Sequence, residues 1–490
     1  MSITIVGLGP GDPDLITRRA WEALSSARAV YLRTRLHPCV PALPQGPVYH
    51  SFDDLYEASG AFEAVYGAIV ERLTALAERG EAVVYAVPGD PMVAESSVRQ
   101  LLAVCGEKGV ACSVVSGVSF IEPALALLGV DAAGGLQLLD ALDVAAAHHP
   151  PINPDYPALL AQVYSRAVAS DVKLTLMNQY PDDHPVALVH GAGTPSARVE
   201  HLPLYEIDRR EAGNLTALYV PRFDPNPAAV TSFEGFQNTM AHLRAPEGCP
   251  WDREQTHRSL LRYLLEEAYE FVDAVEADDP QRIREELGDL LLQVIFHAQV
   301  AVEEGEFYMP EVVRGIDAKL KRRHPHVWGD VDVNGSAEQV TVNWEAIKAQ
   351  ERAENGEPER ASLLDGVPRT LPALEQAHLY DSRAAKVGFD WPDMQGAVDK
   401  VREEFAEVLA AETAEERFSE IGDLLFVVSV LARWMKVDPE AALRAANRRF
   451  YERFSYIERR AREQGRELTA MTLEEMDALW NEAKRGGIGL

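Results

Sequence analysis

From residue 1 to about 222, apolar residues fall in short runs separated by Gly/Pro turns, alternating with stretches where apolar positions recur every three or four residues. The short runs predict strands at 3–6, 82–86, 112–115, 173–177, 186–189 and 215–220. The longer period predicts helices at 15–26, 61–79 and 94–105. Alternating strands and helices predict an α/β domain, and the break over 117–135 predicts two subdomains. Pro221, Pro225 and Pro227 predict a linker, taken as 223–232. Beyond Ser232 the period is helical, interrupted only by the polar stretch 354–372 with Pro358, Pro368 and Pro372. The chain thus reads as an α/β domain (1–222), a linker (223–232), a helical module (233–353), a second linker (354–372) and a second helical module (373–490). The Gly-rich end, 484–490, is expected to fray.

The most informative stretch is 401–434, which reads as two helices. Glu403, Glu404 and Glu407 lie on the first; Glu420 and Asp423 lie on the second and lead into Leu424-Leu425-Phe426-Val427-Val428. Residues three and four apart share a helix face, and each like-charged pair there costs about 0.2–0.5 kcal/mol. A solvated acidic face is the plain alternative, but the apolar run predicts a buried helix. A hard cation with oxygen ligands, Mg²⁺ above all, removes the cost. The pattern also occurs upstream, as Glu266, Glu267, Glu270, Glu286 and Asp289. Glu403 stands 137 residues after Glu266, and Asp423 stands 134 after Asp289. Gly288 and Gly422 each precede Asp-Leu-Leu, so the two copies form an internal repeat.

These acids, together with Gly248-Cys249-Pro250-Trp251-Asp252, Arg322-Arg323-His324-Pro325-His326-Val327 and Val387-Gly388-Phe389-Asp390-Trp391, resemble the MazG family of nucleoside triphosphate pyrophosphohydrolases over about 233–490. The resemblance implies two all-α helical-bundle modules, a homodimer, and hydrolysis of a nucleoside triphosphate to monophosphate and pyrophosphate. The acids of both copies are then the Mg²⁺ ligands, with Glu404 as general base. Arg449 and Arg453 would take up charge on the leaving group. Lys386, Phe389, Trp391 and Asn447 are the candidate nucleotide contacts, since an aromatic ring can stack on any base. The counterparts of Asn447 and Arg453 are Asp317 and Arg323, both 130 residues earlier, with Lys319 between them. Asp317 would repel a phosphate, which favours the second module as the triphosphate site.

The formal charge of −30 argues against polymeric nucleic acid and against an anionic membrane surface. Cys39, Cys105, Cys112 and Cys249 form no CxxC pair, and reduced thiols in a cytoplasmic protein are the expectation. No apolar run is long enough to span a membrane and no signal peptide is read at the start. His148-His149-Pro150-Pro151 reads as an exposed loop, not a metal site.

Gly7-Leu8-Gly9-Pro10-Gly11-Asp12-Pro13 follows the first strand directly, but Asp12 replaces the last glycine of a dinucleotide fingerprint. Pro88-Gly89-Asp90-Pro91 follows the strand at 82–86 and would share the carboxyl edge of the sheet, where open α/β sheets bind ligands. With Val115-Ser116-Gly117-Val118-Ser119 and Ala187-Leu188-Val189-His190-Gly191, these loops resemble the tetrapyrrole methylases, which use S-adenosylmethionine. The resemblance implies a cofactor cleft lined by Pro10, Gly89, Asp90, Val93, Ser119 and Met177. Phe120 and Met177-Asn178-Gln179-Tyr180 depart from the family pattern, so cofactor binding is implied more directly than methyl transfer. Two other functions stay open: a methyltransferase with a degenerate helical region, and a nucleotide-sensing protein without turnover.

Overall fold

A computed structural model describes residues 2–58, 62–354 and 362–489, which form two compact units, 1–314 and 315–490. The first unit opens with a parallel sheet of five strands, β1 (Ser2–Gly7), β2 (Ala29–Leu32), β3 (Val48–Ser51), β4 (Ala82–Val87) and β5 (Ala111–Val115), in the order β3-β2-β4-β1-β5. Parallel strands need both faces covered. Ile3, Ile5, Val83 and Tyr85 pack in one buried cluster, whereas Val6, Leu8, Val30 and Ala86 pack in another. The flanking helices include α1 (Arg18–Ser26), capped by Thr17, and α2 (Ser96–Lys108), closed by left-handed Gly109. Two free thiols, Cys105 on α2 and Cys112 on β5, lie 3.0 Å apart.

A second, mixed sheet follows: β6 (Gln137–Asp140), β7 (Ala158–Ala161), β8 (Pro185–His190), β9 (Arg198–Pro203) and β10 (Thr216–Val220), ordered β6-β7-β10-β8-β9. The two sheets meet the expectation of an α/β domain with two subdomains divided over 117–135. One predicted strand is wrong. Residues 173–177 are the end of a helix, α3 (Arg166–Leu176), started by the Ser165 cap and buried along Val168, Val172 and Leu176. That four-residue spacing outweighs the strand-like composition of Lys-Leu-Thr-Leu-Met.

The rest is helical. In the first unit α4 (Phe233–Arg244) precedes the long hairpin α5 (His257–Glu276) and α6 (Pro280–Glu304), and then α7 (Met309–Arg323), in which the division between units falls. The second unit contains α8 (Ala337–Glu354), α9 (Ala373–Ala385), the hairpin α10 (Met394–Ala410) and α11 (Ala414–Trp434), then α12 (Pro439–Glu463) and α13 (Leu473–Arg485). Part of the linker 354–372 lies outside the described residues. The buried helix expected after Asp423 is only half buried: Val427 and Val430 are covered, while Leu425, Phe426 and Val428 stay exposed. A two-helix hairpin covered by α9 on one side cannot shield its other face. The expected fraying after 484 is also corrected, for the Ile488 carbonyl accepts Arg453 Nε at 3.1 Å and the Ile488 N–H reaches Ala483 O at 3.0 Å. No helix among the described residues is long and apolar enough to cross a membrane.

Candidate functional sites

The loops after β1, β4 and β5 close on one another through their glycines. Gly9 and Gly89 exchange backbone hydrogen bonds of 3.2 and 2.7 Å, and a Cβ on Gly7 or Gly117 would sit 2.6 or 2.3 Å from the Gly89 carbonyl. Gly89 has φ +66° and open space beside it. The backbone there is bare and can be approached closely by a ligand. Asp90 braces the arrangement, its carboxylate accepting the N–H of Gly117 at 3.0 Å and of Met92 at 2.8 Å. Pro10 meets Gly193, from the loop after β8, where any Cβ would come within 2.3 Å. Val93 closes a turn on the Asp90 carbonyl, and buried Ser119 donates to Glu122 at 2.6 Å while capping Ile121.

Pro10, Gly89, Asp90, Val93 and Ser119 therefore gather on three adjacent loops at the carboxyl edge of the first sheet. Met177 does not join them. It ends α3, the crossover from β7 to β8, and so lies at the opposite edge of the second sheet from the Gly193 loop. Sequence reasoning missed Gln162, which follows β7 with φ +67° and donates Nε2 to Asp140 at 2.7 Å. Its unfavourable backbone at the carboxyl end of a strand is the kind of strain that collects at binding sites.

The acids of the repeat come together in pairs of antiparallel helices. In the first hairpin Glu267, Glu270 and Glu286 each place a carboxylate oxygen within 4.8 Å of the others. Burial, then Asp289, Glu270, Glu266 and Glu286, push the Glu267 carboxyl above its ordinary range. In the second hairpin Glu404, Glu407 and Glu420 make the same cluster. Glu420 is raised by burial, then by Glu407, Asp423 and Glu404. The tight corner before α11 is set by a capping box, Thr413 with Glu416; Asp279 caps α6 in the first hairpin.

The second cluster contains a residue that the sequence reading passed over. Lys400 Nζ lies 2.7 Å from Glu404 and 2.9 Å from Glu403, and these hydrogen bonds hold its ammonium in the charged form. Its spacing of three and four residues before two acids was the signal available. Glu404 is buried (5% exposed), a position that this ammonium makes affordable. Tyr263 occupies the corresponding place before Glu266 and Glu267.

The nucleotide candidates divide. Phe389 is 80% exposed, whereas the Trp391 ring packs where a Cβ on Gly396 would stand. Between them, Asp390 accepts Arg433 Nη2 at 2.7 Å and Trp434 Nε1 at 3.2 Å, which fixes the loop to the end of α11. Arg433 also binds buried Asp381. Lys386, at the end of α9, is exposed, as are Asn447 and Arg449 on α12. Arg453 is half-buried, stacked over Trp480 and bonded to Ile488. At the matching positions of the repeat, Asp317 pairs with Lys321 at 3.0 Å. Arg323 and Arg322 are held by Glu351 at 2.6 and 2.7 Å, and those bonds, Arg323's first, pull the Glu351 carboxyl down to about 2.

Comparison with known proteins matches three stretches of the chain to known families. Residues 2–208 match the family described as Tetrapyrrole (Corrin/Porphyrin) Methylases. Residues 255–328 match the MazG nucleotide pyrophosphohydrolase domain, and 375–450 match Phosphoribosyl-ATP pyrophosphohydrolase. An uncharacterized protein of Bacillus subtilis, YabN, is 43% identical over 98% of both chains. The nucleoside triphosphate pyrophosphohydrolase/pyrophosphatase MazG of Thermotoga maritima is 43% identical over 52% of this chain and 96% of its own. The Escherichia coli nucleoside triphosphate pyrophosphohydrolase is 45% identical over 51% of this chain and 96% of its own. The chain belongs to the MazG family, with a tetrapyrrole methylase domain ahead of the two helical modules.

Proposed function

We propose that the helical half hydrolyses nucleoside triphosphates to monophosphate and pyrophosphate with Mg²⁺ as cofactor. The observation that carries the reading is the twice-built cluster of carboxylates, each with an acid pushed above its ordinary pKa by burial and by neighbouring acids. Such sites favour a divalent cation with oxygen ligands. Glu403, Glu404, Glu407, Glu420 and Asp423 hold it in the second module; Glu266, Glu267, Glu270, Glu286 and Asp289 do so in the first. The ion supplies phosphate polarisation and a more acidic bound water. Glu404 accepts the proton of the attacking water, Arg449 and Arg453 meet the leaving pyrophosphate, and exposed Phe389 offers a stacking face for the base. Lys386 and Asn447 contact the sugar and phosphates.

The bare faces of the second hairpin support a homodimer. Phe405, Leu409, Phe418, Ile421, Leu425 and Phe426 are all exposed in the single chain. Fully burying a large apolar side chain gains about 1.5–3 kcal/mol, so covering these six, which are 40–85% exposed, offsets much of an association cost of about 4–15 kcal/mol. The substrate is a free nucleotide and not a nucleic acid polymer or membrane, in keeping with the charge of −30, and the protein acts in the cytoplasm. The bare glycine backbone between Gly9, Gly89 and Gly117 supports S-adenosylmethionine binding by the N-terminal domain.

Product analysis of the full chain tests the main reading. With a triphosphate and Mg²⁺, monophosphate and pyrophosphate should appear in equal amounts, and EDTA should abolish both. Diphosphate with free phosphate, or full activity in excess chelator, contradicts it. Calorimetry tests the N-terminal reading: adenosylmethionine should bind the full chain and bind more weakly after Asp90→Ala.

A further inference from the structure

The open end of the first hairpin gathers a second kind of side chain. His257 is the first residue of α5, and Glu304 is the last of α6. Gly305 ends α6 with φ +73°, and the next N–H, of Glu306, is tied to Ala301 O at 2.9 Å. One imidazole nitrogen of His257 and one oxygen each of Glu304 and Glu306 lie within 4.8 Å of one another. Glu304 stands 18 residues after Glu286, about 27 Å along the helix at 1.5 Å per residue, so this group is separate from the acid cluster of the same hairpin.

The histidine is oriented by another. His257 Nδ1 and His297 Nδ1 are 2.7 Å apart, with ring planes only 4° from parallel. A contact this short needs one proton between the two nitrogens. When His257 donates from Nδ1, its Nε2 faces the two carboxylates, and a proton or a metal cation on that nitrogen is what relieves the repulsion between the lone pairs. Nε2 and the Glu306 carboxylate are 3.7 Å apart, too far for a hydrogen bond. Two ligand atoms at ordinary zinc distances and a tetrahedral angle stand about 3.4 Å apart.

We propose that His257, Glu304 and Glu306 form a site for one borderline transition-metal dication of the zinc class, with His297 holding the His257 ring in the ligating tautomer. Imidazole with carboxylate selects such an ion over Mg²⁺, which prefers oxygen throughout. His297 plays the part of the outer hydrogen-bond partner that metal-bound histidines need. The ion would staple the start of α5 to the end of α6, opposite the corner that joins them.

Co²⁺ titration of the full chain in excess Mg²⁺ is the test, read by visible absorption and by melting temperature. We expect one Co²⁺ per chain with nitrogen-ligand absorption bands and a raised melting temperature. Glu306→Gln, at an exposed position, and His257→Gln should each abolish that binding. His297→Gln should keep the stoichiometry and weaken affinity by about 10–100-fold. Glu267→Gln should leave the Co²⁺ signal intact. Unchanged Co²⁺ affinity in a folded Glu306→Gln or His257→Gln protein, or no Co²⁺ uptake by the wild type in excess Mg²⁺, overturns the proposal.

Discussion

The two hairpins repeat the same acids at the same spacing and differ in what neutralises them. Around Glu267 four other carboxylates act on one acid, and the position one turn earlier is Tyr263. Around Glu404 the corresponding position is Lys400, whose ammonium binds two of the acids directly. A motif of conserved spacing therefore need not be one electrostatic site. The first cluster is strained by its own charge and gains most from a metal. The second carries an internal cation that keeps it assembled before any metal arrives, and a metal must displace that ammonium or share the acids with it. Asp317 belongs to the same contrast, since its carboxylate is paired with Lys321 where the second module has an exposed amide, Asn447.

The largest effect should separate the hairpins by activity. Glu404→Gln keeps shape and removes a charge from the proposed base, and should lower kcat for triphosphate hydrolysis by about 10²-fold or more. Glu267→Gln should leave the greater part of the activity. Circular dichroism controls for folding in both variants. If Glu267→Gln is the inactive protein and Glu404→Gln the active one, the assignment of the triphosphate site is reversed.

The helical half was legible because its chemistry is periodic. Acids at three- and four-residue spacing identify a face without any tertiary information, and repetition 137 residues apart removes the ambiguity of a single copy. The α/β half was legible where glycine turns follow apolar strands, and the loops that carry Pro10, Gly89, Asp90, Val93 and Ser119 adjoin at one edge of the first sheet. Met177 failed because Lys-Leu-Thr-Leu-Met resembles a strand in composition, and only the buried stripe from Val168 to Leu176 makes it a helix. The true strand nearby, β7, was hidden behind five residues of Pro-Pro-Ile-Asn-Pro. The half-covered state of α11 was not legible at all, since hydrophobicity says that a face is apolar but not whether the same chain covers it.

A smaller effect sharpens the role of Lys400. In a Glu267→Gln/Asp289→Asn background, where the first cluster is weakened, Lys400→Met should raise the Mg²⁺ affinity of the second by about tenfold. Isothermal titration measures it. An affinity that falls instead would make the lysine a support of the metal site and not its competitor.

The smallest effect is a pH dependence that should differ between the clusters and follow from their charge. A carboxyl raised in the folded protein binds its proton there more readily than in the unfolded chain. Stability from that group is then lower at neutral pH, rises as pH falls through the raised folded value, and stops rising near the ordinary carboxylate value. Glu267 has this sign, and so does Glu420. Glu351 and Glu475, both pulled down to about 2 by arginines, have the opposite sign and lose their contribution as pH falls from the ordinary value toward that figure. The raw melting curve mixes these terms, so the difference between wild type and Glu267→Gln is the useful quantity. Without metal, Glu267→Gln should melt about 1–3 °C higher than wild type at pH 7.5, and the gap should close near pH 4. Mg²⁺ competes with protons for the same oxygens, so it should raise the wild-type melting temperature at pH 7.5 more than at pH 5 and reverse the order of the two proteins. A gap that widens toward acid pH would mean that Glu267 is stabilised as an anion by a partner, and that the first cluster is not the uncompensated one.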